Sequence, residues 1–341
     1  SEGWEGPTRQ PGATPAPAET FAPLVSIHPR DLAFPLSAAR ALRHSTLEWS
    51  GGPCPGETNV AAGEASQRRT GEGAPRLDPG RLAGRPRAYV HRPRLATCEP
   101  DPDATAFSTT DLTRPYARGG RPPDLPIDSG FNLDILLEAY PGERGVHTEG
   151  GQTFLGRVPA YYELRRERVA GGAGVRISYW LLFAWGETVD LEGERVSSNE
   201  GDWERVDALL ERGDRRNHYV PSALDLYVDG RPRRVPWTEL ELASGPGGKT
   251  HPAVYLARDS HTPYAAPGAY RRAGRSGYDD SRARVLERAV RCPSCALWRT
   301  WRLLREASDQ PWYGYRGGWG TRGLHPAPSG SAGPMPGGVQ R

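Results

Sequence analysis

The chain has 341 residues, 36% of them hydrophobic, with 42 glycines and 34 prolines, which supplies a real core but too many turn formers for a long-helix protein. Forty-four Lys and Arg stand against 41 Asp and Glu, a formal charge of +3, and no basic stripe gathers them, so nucleic acid is not the expected partner. The longest apolar run, Ile177 to Trp185, is far short of the roughly 20 residues a membrane-spanning helix needs, and no membrane span is expected.

Ser1 is not followed by a basic-then-apolar leader, so any signal peptide is expected to be absent or already removed. Residues 1–20 are rich in Pro, Ala, Gly and Thr without an apolar face, and read as a mobile tail. Order is predicted to begin at Phe21-Ala22-Pro23-Leu24-Val25 and to continue through Ile27-His28-Pro29 and Leu42 to Trp49. Glycine, proline and arginine then crowd residues 51–123, broken only by Ala88-Tyr89-Val90. A loop that long inside a compact domain is either functional or disordered, so it reads as an irregular insertion in a single β-rich domain over 21–323. Residues 324–341 read as a second tail.

From Gly156 the pattern turns to strands. Ala160 to Val169 and Val175 to Trp185 are rich in Tyr, Val, Ile, Trp and Phe, and Ala170-Gly171-Gly172-Ala173-Gly174 between them is a hairpin signal. Trp203 to Leu210, Ala223 to Val228 and Ala253 to Ala257 are further strands, each bounded by turn formers. Val285, Leu286, Ala289 and Val290 share one side of a helix if Ser281 to Arg291 is helical, and one is predicted there. Strands in series with one or two short helices and long Gly/Pro-rich loops predict a mostly β fold, an antiparallel β-sandwich. Tyr179, Trp180, Phe183 and Trp185 are expected in its core, with the tail aromatics Trp298, Trp301, Trp312, Tyr313, Tyr315 and Trp319 packed on the sheet.

Four cysteines occur: Cys54, Cys98, Cys292 and Cys295. The last two form a Cys-x-x-Cys pair, but the first two do not, which weakens a zinc reading. Structural disulfides in a secreted or cell-surface protein are the preferred reading, with three connectivities open and free buried thiols, or a redox or zinc site, as alternatives. Lys249 in Gly247-Gly248-Lys249-Thr250 lacks both the upstream glycine spacing and the following helix of a phosphate loop.

The chemical centre is Asn199-Glu200-Gly201-Asp202-Trp203-Glu204. If extended, it places Glu200, Asp202 and Glu204 on one face about 7 Å apart, whereas a helix would fan them by about 200° per step. Three carboxylates so placed need a cation, arginine partners or raised pKa values to coexist. A divalent Ca, Mg or Mn ion would meet that need. A solvated acidic face paired with arginines and an acid/base carboxylate pair remain open alternatives. Among the histidines, His251 and His261 flank an extended stretch roughly 30 Å long, so at most one joins the acids unless the strand bends sharply. His261 sits at the strand exit, where loops carry function, and His251 is placed at the entry.

Several of these residues resemble the vacuolar protein sorting-associated protein 62 family. The resemblance rests on Phe21 to Val25 with His28-Pro29, Ile177 to Trp180, Glu200 to Val206, Thr250 to Arg258, Ser260-His261 with Tyr264, and Trp312 with Gly317 to Gly320. Asn199 stands where that family commonly has histidine. The family implies a fold neighbourhood and no settled activity. Asp202-Trp203-Glu204 is also similar to the core motif of necrosis- and ethylene-inducing-like toxins, whose β-sandwich holds a divalent cation beside a membrane-glycolipid site. That similarity favours a metal, with Asp202, Glu204 and His261 as the best ligand candidates.

Three functions compete. The first is a metal-dependent, extracellular binding module for a glycan or lipid head group. The second is a metal-dependent hydrolase with Glu204 as the catalytic carboxylate acting on a bound water. The third is a membrane-active toxin or sorting factor, which ranks last because no amphipathic segment is long or apolar enough to insert.

Overall fold

The computed structural model describes residues 16–49, 131–135 and 155–310, with residues 32, 34, 44, 194, 215–217 and 276–281 excepted, together with Tyr313 and Trp319. The 51–123 insertion, Cys54, Cys98 and the 324–341 tail lie outside the described residues. The elements are α1 (Pro17–Thr20), β1 (Leu24–Ile27), α2 (Ala38–Arg43), β2 (Ser45–Trp49), β3 (Phe131–Ile135), β4 (Ala160–Val169), β5 (Gly172–Val189) and β6 (Arg195–Arg212). They continue with β7 (Tyr219–Val228), β8 (Arg231–Pro236), β9 (Leu242–Gly245), β10 (Gly248–Leu256), β11 (Pro263–Tyr264), β12 (Gly268–Arg275), β13 (Arg282–Ala289), β14 (Ala296–Arg299) and β15 (Leu304–Glu306).

The fold is mostly β and sandwich-like, as expected. One sheet has six strands in the order β15-β4-β5-β6-β7-β8; a second runs β11-β10-β1-β14, with β9 on β10; β12-β13 and β2-β3 are two-stranded sheets. Pairing is antiparallel except for β1 with β10 and β15 with β4. The predicted hairpin is β4–β5, closed at Ala170-Gly171, both at positive φ. The described chain starts ahead of Phe21, because α1 buries Ala18 against the core, and Tyr179 donates its hydroxyl to the Ala18 carbonyl at 2.8 Å.

Alternation decides what faces inward. Val175, Ile177, Tyr179, Leu181 and Phe183 of β5, Val206, Ala208 and Leu210 of β6, and Leu224 and Leu226 of β7 form one apolar layer. Val25 and Ile27 of β1, Val254 and Leu256 of β10, and Ala296 and Trp298 of β14 form the facing layer, aligned by register.

The other face of the six-stranded sheet is also covered: Tyr161, Trp180, Leu182 and Trp203 are buried on it, and beside them lies a polar row. Ser178, Asp207, Asp225 and Arg234 form one cross-strand row. Two aspartates directly opposite each other would repel. Three arginines neutralise them: Arg205 grips Asp207 through two nitrogens at 2.7 Å, Arg234 grips Asp225 through two at 2.8 Å, and Arg176 spans both at 2.7 and 3.3 Å. Tyr227 donates a further bond to Asp207 at 3.0 Å, and the Arg205 guanidinium lies between the Trp180 and Tyr227 rings.

The predicted helix over Ser281–Arg291 is instead strand β13, paired with β12. Val285, Glu287 and Ala289 alternate inward, and the charge of Glu287 hid the period of two. Arg272 of β12 compensates that charge with bonds of 2.9 and 3.1 Å.

Gly201 is the least replaceable glycine of the acidic strand. Its φ is +60°, and a Cβ built there falls on the carbonyl of Trp319, whose buried ring packs edge-on against Trp203 at 5.1 Å. Gly201→Ala is expected to destabilise the protein by at least about 2 kcal/mol, since neither the backbone angle nor the crossing chain can yield cheaply; urea titration checks it. Asp207→Ala leaves Arg176 and Arg205 facing each other without their acceptor, and should cost on the order of 3–5 kcal/mol by the same measurement.

Candidate functional site

The acidic segment is extended, as its spacing predicts: it lies within β6, with Glu200 opposite Trp185, Asp202 opposite Phe183 and Glu204 opposite Leu181. Asp202 and Glu204 therefore share the inward face, while the side chain of Glu200 lies outside the described residues. They stand where β6 has run past the last pairing with β7, at Val206–Leu226. There the sheet's end is closed by other elements: the Asp229-Gly230 turn between β7 and β8, both at positive φ, the β10–β11 turn and the β12–β13 hairpin. Asp-Gly is the preferred pair for such a hairpin turn.

His261 reaches Asp202 as expected for the strand exit, but it does so inside a clamp. Its Nδ1 donates to Asp202 Oδ2 at 2.8 Å and its Nε2 to Asp31 Oδ1 at 2.9 Å. The Phe183 ring stacks flat on the imidazole at 3.8 Å. His261 is 0% exposed, Asp31 3% and Asp202 7%. Two donating ring nitrogens require the imidazolium form. Burial alone would depress its pKa; the two aspartates outweigh burial and raise it to about 10.

Asp31 is the residue that sequence reasoning missed. It sits in the turn after β1, where its backbone N–H bonds the His28 carbonyl and its carboxylate takes the N–H groups of Ala33 and Asp259, both at 3.2 Å. A carboxylate in a turn after an apolar strand was the available signal. Its partner is 230 residues away, which no local pattern carries. His261 and Asp259 both have positive φ, at 54° and 67°. Such backbone strain persists where the surroundings over-determine it, and here the clamp and the 2.7 Å bond from the Glu187 N–H to the Asp259 carbonyl do so.

Beside the clamp lies a second cluster. Glu287 of β13, 2% exposed, accepts from Arg272, from the Tyr264 hydroxyl and from Thr262 at 2.9 Å. Burial raises the Glu287 pKa, but Arg272 and the two hydroxyls bring it below the usual carboxylate range on balance. Arg272 also pairs with Asp229 at 2.6 Å. Glu204 faces this cluster half-buried. Burial first, then Asp202, Glu287 and Asp229, push its pKa well above the ordinary value, opposed by Arg272. Five carboxylates thus surround two cations, His261 and Arg272. Among the described residues, Glu204 is the one of the five that no hydrogen bond or ion pair engages.

His251 stays apart, but inside β10 at its bulge and not at the expected strand entry. Its ring nitrogens lie 2.8 Å from the Ala22 carbonyl and 3.1 Å from that of Pro246, and Trp301 lies against it. Lys249 lies in β10, with a strand and no helix after it. Among the described residues no group of three or more His, Cys, Asp or Glu side chains is disposed to hold a metal ion. With both nitrogens committed to carboxylates, His261 has no lone pair to offer one in this arrangement; Asp202 and Glu204 do have oxygens of the kind that bind hard cations.

The clamp makes stability depend on pH with a definite sign. A histidine whose folded pKa, about 10, exceeds the unfolded 6.5 contributes stability that is complete below pH 6.5 and is lost as pH rises through 10. Unfolding free energy from urea titration should therefore fall between these limits, by an amount on the order of a few kcal/mol. Asp202→Asn, which removes one partner charge, should shift that fall to lower pH.

Searches against protein-family models, curated proteins and solved structures find no match to this chain.

Proposed function

We propose that the chain is a cation-dependent β-sandwich binding module, in which Glu204, with Asp202 beside it, holds a divalent Ca, Mg or Mn ion whose remaining positions are filled by oxygens of a glycan or a lipid head group. The observation that carries this reading is Glu204, half-buried and unengaged among the described residues, in a cluster with three more carboxylates than cations. Local negative excess of that kind favours a bound cation. Two protein carboxylates without a third protein ligand match the way Mg²⁺ is commonly held, with water and phosphate oxygens completing the shell. The ligand is then part of the cation site, and neither should bind tightly without the other.

His261 acts here as a positioning residue. Its fixed charge holds Asp202 by one oxygen and keeps the strand end from splaying. The similarity of Asp202-Trp203-Glu204 to the cation-binding toxin core supports the same reading at the level of motif. The surface-exposed or secreted setting goes with it as part of the proposal. A hydrolase is the second reading, favoured by the upward shift of the Glu204 pKa through burial and its carboxylate neighbours, the direction a general acid needs.

Calorimetry separates these. Titration with phosphorylated or glycosylated lipid head groups is expected to show binding with Ca²⁺, Mg²⁺ or Mn²⁺ present and at least tenfold weaker binding with chelator. Glu204→Gln should abolish the cation dependence while leaving the fold intact. Binding that is indifferent to chelator and to Glu204→Gln overturns the module; turnover of phosphodiester, ester or glycoside substrates, lost in Glu204→Gln, replaces it with the hydrolase.

A further inference from the structure

Cys292 and Cys295 are bonded to each other across the loop between β13 and β14, three positions apart. As a staple this bond does little. Cross-link stabilisation grows with the length of chain enclosed, and this loop encloses two residues, Pro293 and Ser294. The loop also carries its own backbone bond, from the Cys295 N–H to the Cys292 carbonyl at 3.1 Å, which does not need the disulfide. The strands on either side are anchored elsewhere: β13 to β12 along its length, β14 to β1.

The two sulfurs are not equivalent. Cys292 is half-exposed at the loop tip, between exposed Arg291 and exposed Pro293 and Ser294, whereas Cys295 is buried at 8% exposure, where β14 enters the core. The Ser294 hydroxyl lies 3.8 Å from the Cys292 sulfur and is oriented to donate to it. A hydroxyl donating to sulfur stabilises a thiolate, the reactive form in exchange. One accessible sulfur with a donor, backed by a buried one in the same short loop, is the arrangement that thiol–disulfide exchange requires.

We propose that Cys292-Pro293-Ser294-Cys295 is a thiol–disulfide exchange site, with Cys292 the sulfur that partners attack or that attacks them, and Cys295 the resolving thiol. Oxidised protein is opened by the thiolate of a low-molecular-weight thiol. It bonds to the Cys292 sulfur, the Cys292–Cys295 bond breaks, and Cys295 leaves as a thiolate that takes a proton from water. A second thiol completes the two-electron reduction, releasing the oxidised small disulfide. In the opposite direction, the Cys292 thiolate attacks a partner's disulfide and expels one partner thiol. Cys295 then attacks the Cys292 sulfur, expels the second, and the intramolecular bond is restored.

The test uses the full chain in native buffer with graded mixtures of reduced and oxidised glutathione. Samples are quenched by alkylation and read peptide by peptide by mass spectrometry, so that Cys54 and Cys98 are scored separately, with circular dichroism recorded alongside. The Cys292–Cys295 pair is expected to pass reversibly between oxidised and reduced forms with an unchanged spectrum. Glutathione should accumulate on Cys292 in Cys295→Ser at least tenfold faster than on Cys295 in Cys292→Ser. If the variants do not fold, early quenching of the wild-type protein still shows which sulfur carries glutathione first. A bond that glutathione leaves intact until denaturant is added, or equal modification of the two sulfurs, overturns the proposal.

Discussion

The structure turns on one buried cation. His261, without solvent contact, is charged because Asp31 and Asp202 each accept one of its ring protons. Those two carboxylates come from opposite layers of the sandwich: Asp31 follows β1 in one sheet, Asp202 lies on β6 in the other. The imidazolium is therefore a bolt between layers, at the end of the sandwich where the apolar core gives way. Burying three charges together is tolerable only when each is paired and hydrogen-bonded, and Phe183 stacked on the ring excludes the water that would weaken the pairs.

Charge in this fold is handled differently on the two faces of the same sheet. On the outward face, Asp207 and Asp225 are saturated by Arg176, Arg205, Arg234 and Tyr227, beside the buried rings of Tyr161, Trp180 and Trp203. On the inward face, Asp202 is answered by His261, whereas among the described residues no hydrogen bond or ion pair engages Glu204. Asp207 is thus surrounded by Arg176, Arg205 and Tyr227, a density of partners that Glu204, on the same strand, does not share among the described residues.

Much of the framework is legible in the sequence because it is written in local pattern. β4 matches its expected bounds, β5, β6 and β7 contain theirs, β10 overlaps its own but ends one residue short at Leu256, and the extended reading of the acidic segment follows from Trp203, Val206 and Gly201. What is not legible depends on tertiary partners. β13 reads as a helix because Glu287 occupies an inward position that only Arg272, Tyr264 and Thr262 make tolerable. Asp31 carries no local mark of its bond to a histidine far along the chain. The cysteine pairing is likewise a spatial fact, and it resolves within the Cys-x-x-Cys segment itself. His261 does meet Asp202, but not by strand length: β10 ends at Leu256 with His251 inside it, and the turn closed by the Ala257 N–H to the Thr262 carbonyl carries His261 to the site.

The crossing at Gly201 has a consequence for how the molecule is made. Trp319 lies over that glycine and against Trp203, so the segment that seats the acidic strand is among the last of the described residues to leave the ribosome. Residues 31, 202 and 261 can meet earlier, yet all through long-range closure of the kind that slows folding. The sandwich can thus form as a shell while its acidic end is still uncovered on one side. Vectorial synthesis then sets an order in which scaffold precedes site, and the nascent protein passes through a stage that has the sheets but not the finished end.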